Sequence, residues 1–157
     1  GIAFRKGSDI TPAVNTAIAE LIAEGTLEKI GKDYKLDELI IKDGKAFDDA
    51  VVEGDLAYVK DKGELVIGIT YFAPMNYEND DKELIGFETD FAKAVCEKLG
   101  VTPKFVEINW DSKEIELNAK NIDCIWNGMT ITEEREENMQ ISIPYMENKQ
   151  AVVVKAD

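Results

Sequence analysis

With 157 residues, of which 45% are hydrophobic, 32% charged and 8% aromatic, the chain can bury one core without covalent staples and is too apolar to read as disordered. Thirty-two acidic against 18 basic residues give a formal charge of −14, which repels phosphate backbones and anionic membrane surfaces, so nucleic acid is not an expected partner. The absence of histidine removes Ser-His and Cys-His nucleophiles, imidazole proton shuttles and His-ligated metals, and no metal or cofactor is expected.

No stretch approaches the ~18 consecutive apolar residues of a membrane span, and the opening residues show neither the basic nor the apolar region of a secretion signal. The chain starts without methionine on Gly1-Ile2-Ala3-Phe4-Arg5-Lys6, which reads as a strand and suggests a processed or engineered chain. Thr11-Pro12 offers a capping hydroxyl and a first-turn proline for a helix with Val14, Ile18, Leu21 and Ile22 on one face, closed by Gly25. Thr26 is expected to cap a shorter helix, with Leu27 and Ile30 inward, ending near Tyr34. Residues 35–62 are charged and weakly patterned and read mostly as a linker, with a helical turn at Leu56, Ala57 and Val59.

Leu65-Val66-Ile67-Gly68-Ile69 is a continuous apolar run, as in strands covered on both faces. A loop with Tyr71, Phe72, Pro74 and Tyr77 follows, then a helix with Phe87, Phe91, Ala94, Val95 and Cys96 buried and Gly100 at its end. A second strand at 104–108 leads to Trp110, a short helix at 112–119 with Ile115 inward, and a third strand at 122–126. A last strand is expected at Gln150 to Val154. Strand–helix alternation predicts an α/β three-layer sandwich: a mainly parallel sheet with helices on both faces, with ligands bound beyond the carboxyl ends of the strands.

Those carboxyl ends carry Tyr71 and Phe72, Trp110, and Asn127-Gly128-Met129-Thr130. In Asn127 to Arg135, glycine permits close backbone approach, Thr132 can cap a helix, and Arg135 on its first turn can clamp a carboxylate with help from Thr130. Equally, Arg135 can pair with Glu133, Glu134, Glu136 or Glu137 on a solvated helix. The aromatics Tyr71, Phe72 and Trp110 can form a slot for a ligand's carbon stem or stack on a cation, or can simply be core. Glu88 and Asp90 read as first-turn carboxylates favoured by the helix dipole, and Asp48-Asp49 and Asp80-Asp81 as solvated loops. Cys96 and Cys124 read as buried apolar groups, with a bridge between them left open.

Gly86-Phe87-Glu88-Thr89-Asp90, Asn121-Ile122-Asp123, Gly128 through Arg135, and Ser142-Ile143-Pro144-Tyr145 resemble the extracellular solute-binding proteins that deliver polar amino acids to ABC importers. The resemblance covers residues 65–155. It implies that Gly128 offers its carbonyl to the ligand's ammonium, that Thr130 contacts ammonium and carboxylate, that Arg135 clamps the carboxylate, and that Phe72 and Trp110 enclose the side chain. Many family members hold an acidic residue near Thr70, which is absent here and leaves the preferred side chain open. The resemblance further implies an extracellular or periplasmic location and docking of the parent protein on a membrane permease.

Residues 1–34 resemble the C-terminal strand and helices of the same family, placed first. The expected organisation is therefore a single domain, 1–157, with 35–53 as joining linker and 54–157 as lobe body: one isolated, circularly permuted lobe, made by design and carrying half a site that binds weakly. Its rim residues are Tyr71, Phe72, Trp110, Asn127, Gly128, Met129, Thr130 and Arg135. Self-association through the uncovered face, as a homodimer or by strand swapping, is the second reading. A carboxylate-based, dehydratase-like enzyme is a distant third. A phosphoacceptor is disfavoured because the strand ends lack an acidic cluster.

Overall fold

The computed structural model describes residues 1–44, 52–126, 129, 131–147 and 155. The chain runs β1 (Ala3–Arg5), α1 (Ile10–Ala23), α2 (Thr26–Asp33), α3 (Asp55–Lys62), β2 (Glu64–Ile69), β3 (Tyr77–Glu78), β4 (Leu84–Ile85), α4 (Phe87–Leu99), β5 (Thr102–Glu107), α5 (Lys113–Asn118), β6 (Cys124–Ile125), α6 (Glu133–Asn138) and β7 (Met139–Ile141). Short 3-10 turns stand at Asp37–Leu39 and Trp110–Ser112.

The main sheet has the order β5-β2-β6-β1-β7. β2 pairs in parallel with β5 and β6, whereas β1 runs antiparallel to β6 and β7. The strand nearest the start of the chain thus lies inside the sheet, between β6 and β7. Period-two alternation divides the core. Ile2, Phe4, Leu65, Ile67, Ile69 and Cys124 face α1, α2 and α4, while Ala3, Val66 and Ile125 face Leu117 of α5, Met139 and Ile141.

Several local expectations are corrected. Thr11 is not the cap of α1: the helix starts at Ile10, after Asp9, and Thr11 is buried with no hydrogen-bond partner for its hydroxyl among the described residues. The hydroxyl that serves this turn belongs to Ser8, which accepts from Ile10 N at 3.3 Å. Gly25, in the left-handed conformation at φ 80°, both ends α1 and precedes α2, so Thr26 is already helical. The helical turn expected at Leu56, Ala57 and Val59 is present and runs for two turns, Asp55–Lys62, with Val59 buried; before it, Ile41 N donates to Tyr145 O, and Glu147 N donates to Leu39 O. Ile115 is 70% exposed and Leu117 is buried instead, because a six-residue helix has too few turns to reveal its inner face from spacing. The β3–β4 hairpin and β7 went unread, being two or three residues long. Asp48-Asp49 and the strand expected at Gln150 to Val154 lie outside the described residues.

Cys96 and Cys124 are both buried and unbridged. Burial pushes the Cys96 thiol up to about 12, and burial, then the neighbouring Cys96, raises Cys124 well above its ordinary value. Tyr34, whose hydroxyl donates to Asp90 Oδ2 at 2.7 Å, is likewise pushed up to about 12 by burial and that bond. The unfolded chain releases these protons from about pH 9 to 10, while the folded chain holds them to higher pH. Stability therefore falls as pH rises above about 9, by up to about 1.4 kcal/mol per pH unit for each buried thiol. Urea midpoints measured from pH 7 to 11 should decline beyond pH 9, less steeply for Cys96→Ala. A flat profile to pH 11 contradicts this account.

Candidate functional site

The carboxyl ends of β2, β5 and β6 lie side by side, joined by Ile108 N to Ile69 O at 2.9 Å and Trp126 N to Gly68 O at 3.1 Å. The loop after β2 is built on the N-terminus of α4. Phe87 N and Glu88 N, which have no partner within their own helix, donate to Pro74 O and Met75 O at 2.9 and 3.0 Å. Gly86, at φ 135°, makes this possible, since a Cβ there would stand 2.1 Å from Met75 O. The loop is then pinned by a two-way backbone bridge between Phe72 and Asn76, 2.7 and 2.9 Å. Asn76 is itself buried, with Nδ2 donating to Trp126 O at 3.2 Å and Oδ1 accepting from Thr89 Oγ1 at 2.8 Å.

This leaves Tyr71 and Phe72 at the rim, 49% and 58% exposed. With Ala73, Tyr77 and Glu78 they line an open cavity of about 280 Å³. Tyr71 Oη donates to Glu78 Oε1 at 3.3 Å. Desolvation, then Glu78 and Glu107, hold the Tyr71 hydroxyl above its ordinary value.

Trp110 is half-buried and lies under two cations, with Lys113 Nζ 4.8 Å and the Arg135 guanidinium carbon 5.9 Å from its ring centroid. Arg135 is held where the sequence puts it: Thr132 Oγ1 accepts from Arg135 N at 3.2 Å, capping α6 as expected. Met129 differs from expectation. Its side chain is buried among Ala3, Ile125, Met139 and Ile141, while its carbonyl accepts from Gly1 N at 2.8 Å. Asn127, Gly128 and Thr130 lie outside the described residues. Tyr71 and Phe72 thus follow β2 and Trp110 follows the neighbouring β5, with Arg135 over the Trp110 ring.

Two carboxylates are buried and engaged. Glu88 is 1% exposed and accepts from Trp126 Nε1 at 2.6 Å and Tyr145 Oη at 2.8 Å, so it locks the floor under the rim rather than merely serving the helix dipole. Asp123, at the opposite end of the sheet, is fully buried between Arg5 and Lys62. No group of three or more Cys, Asp or Glu among the described residues could hold a metal ion.

Parallel strands under helices, with Tyr71 and Phe72 after β2 and Trp110 after β5, define an α/β lobe of the type II periplasmic-binding-protein fold. Residues 65–157 match the bacterial extracellular solute-binding proteins, family 3, and the chain belongs to that family.

The L-cystine-binding protein TcyJ of Escherichia coli (strain K12) is 36% identical over 107 residues, 67% of this chain and 40% of TcyJ. A histidine-bound substrate-binding protein of an ABC uptake transporter from Streptococcus pneumoniae is 39% identical with a TM-score of 0.52, over 55% of this chain and 36% of that one. A mutant of the arginine-bound form of domain 1 from TmArgBP is 30% identical with a TM-score of 0.50, over 59% of this chain and 84% of that one. An ancestral cyclohexadienyl dehydratase shares the fold, at 31% identity, a TM-score of 0.51 and coverage of 55% and 36%. The chain spans about two-fifths of the curated relative TcyJ.

Proposed function

We propose that this chain is one lobe of a polar-amino-acid-binding protein, carrying half of the ligand site. The observation that supports the reading is the guanidinium of Arg135 set over the Trp110 ring, 5.9 Å from its centroid, on a helix that Thr132 caps through the Arg135 backbone N. In this reading Arg135 clamps the ligand's α-carboxylate, the Thr130 hydroxyl and the Gly128 carbonyl complete the cradle, and Phe72 and Trp110 flank the side chain. The good coverage of domain 1 from TmArgBP, an arginine-bound form, supports a lobe as the unit that meets the ligand. The parent protein is proposed to work outside the cytoplasm and to present its ligand to an ABC permease.

The segment order is proposed to be inverted by design, with 1–34 closing the lobe as a returned tail, 35–53 joining and 54–157 forming the body. In support, residues 1–34 lie outside the family match, yet β1 sits between β6 and β7.

If a complete site binds at about −8 kcal/mol and half its contacts are present, about −4 remains, a millimolar constant. Titration followed by NMR with arginine, lysine, glutamine and cystine should give millimolar binding to at least one, lost in Arg135→Ala, with the ligand recovered unchanged. Micromolar affinity in a monomer refutes the half-site; silence toward all of them refutes the ligand site.

The reading is one of binding rather than catalysis, since the buried rim-side carboxylate Glu88 is engaged by Trp126 and Tyr145. A second reading, self-association, is favoured by the exposure of Tyr71 and Phe72. Light scattering on the same samples decides it, and a constant monomer mass at high concentration ends it.

A further inference from the structure

We infer that Asn76 is a positioning residue of the amino-acid half-site proposed above, on which the inference rests: its side chain fixes the loop that carries Tyr71 and Phe72 to the end of β6. Asn76 is fully buried, where an amide is tolerated only when its donors and acceptors are matched. Its backbone faces Phe72, with Phe72 N donating to Asn76 O at 2.7 Å and Asn76 N donating to Phe72 O at 2.9 Å. Its side chain reaches two other elements. Nδ2 donates to Trp126 O at 3.2 Å, and Oδ1 accepts from Thr89 Oγ1 at 2.8 Å. A carbonyl can only accept, so the amide nitrogen must face Trp126, and the Thr89 hydroxyl supplies the proton that Oδ1 needs.

Both anchors are themselves held. Trp126 N donates to Gly68 O at 3.1 Å, its indole Nε1 donates to Glu88 Oε2 at 2.6 Å, and its ring lies edge-on to Phe91. Thr89 stands on the first turn of α4, beside Phe87 and Glu88, whose amides hold Pro74 O and Met75 O. Pro74, Met75 and Asn76 therefore fasten the loop to α4 in succession, and of these hydrogen bonds the one from Asn76 to Trp126 crosses to the strand end. Removing it leaves the loop on its helix but frees the loop from the sheet. Phe72 then loses its fixed setting against the chain that continues from Trp126, and a ligand that meets both segments must order them on binding.

The test compares Asn76→Ala with Val59→Ala, a truncation of a buried residue in α3, which precedes the amino end of β2. In NMR titrations with L-arginine, L-lysine and L-glutamine, Asn76→Ala should weaken the tightest binder of the wild type by about tenfold, the worth of one buried hydrogen bond. Val59→Ala should bind within about twofold of wild type, although it too lowers the urea midpoint. Amide exchange gives a second readout that needs no ligand. Phe72 N and Asn76 N should exchange about tenfold faster in Asn76→Ala, each referred to Ile67 N in the core. Thr89→Val removes the proton donated to Oδ1 and nearly preserves volume; it should move both readouts the same way by less, and it carries the test if Asn76→Ala does not fold. Unweakened binding in Asn76→Ala, or equal weakening in Asn76→Ala and Val59→Ala, overturns the inference alone, as does unchanged exchange at Phe72. Silence of the wild type toward all three amino acids removes the half-site reading, and this inference with it.

Discussion

Replacing Arg5 by methionine should cost about 3–5 kcal/mol of unfolding free energy, because it strips the partner from buried charge while leaving that charge in place. Arg5 is 9% exposed. Its Nε and Nη2 grip Asp55 at 2.6–3.1 Å, Nη2 also reaches Asp123 Oδ1 at 3.0 Å, and Nη1 donates to the carbonyls of Leu117 and Ile122 at 3.2 and 2.8 Å. Asp123 keeps Lys62 at 2.6 Å and Val66 N at 2.8 Å, but Asp55 retains only Ser8 Oγ, at 2.5 Å, of these. Two carbonyls each lose a donor as well, although that of Leu117 keeps Lys120 N at 3.2 Å. Lys62→Met should cost far less, since the Lys62 side chain is 26% exposed and Asp123 keeps two donors.

Urea unfolding followed by tryptophan fluorescence measures both variants. Arg5→Met within about 1 kcal/mol of wild type would mean that the opening segment is not an integral part of the lobe, and the proposed segment order would fall with it.

Phe91→Ala should cost about 3–5 kcal/mol, the usual range for deleting a fully buried ring from a close-packed core. Phe91 lies edge-on to Trp126 at 5.2 Å and 89° and to Tyr145 at 4.7 Å and 66°, with Phe87 6.0 Å away. The same ring supports the two donors that hold Glu88. The loss is therefore expected in the floor of the rim as well as in overall stability, seen as a lower urea midpoint and faster hydrogen exchange at Trp126. Phe91→Leu keeps much of the volume and should retain more of both. An unchanged midpoint in Phe91→Ala would show that the space closes without cost.

The long elements were legible in the sequence. β2 follows from its unbroken apolar run and α1 and α4 from 3.6-residue spacing, each a pattern carried by near neighbours. Part of the rim was legible for the same reason: Thr132 and Arg135 are three residues apart on one turn, and Tyr71, Phe72 and Trp110 each follow a strand. The turns were less so. Thr11 looked like a cap because its hydroxyl precedes a proline, but Ser8 took the role once Asp55 fixed its position. Met129 stood within the rim motif, yet its side chain is buried in the core cluster against which Trp110 packs.

By itself, then, the sequence determined a small α/β fold with a mainly parallel sheet and the family to which the chain belongs. These are written in local periodicity and in compact motifs such as 128–135. Only the tertiary structure decided which charges face water and which are locked away. Arg5 meets Asp123 across 118 residues and Trp126 meets Glu88 across 38, pairings on which no local pattern bears.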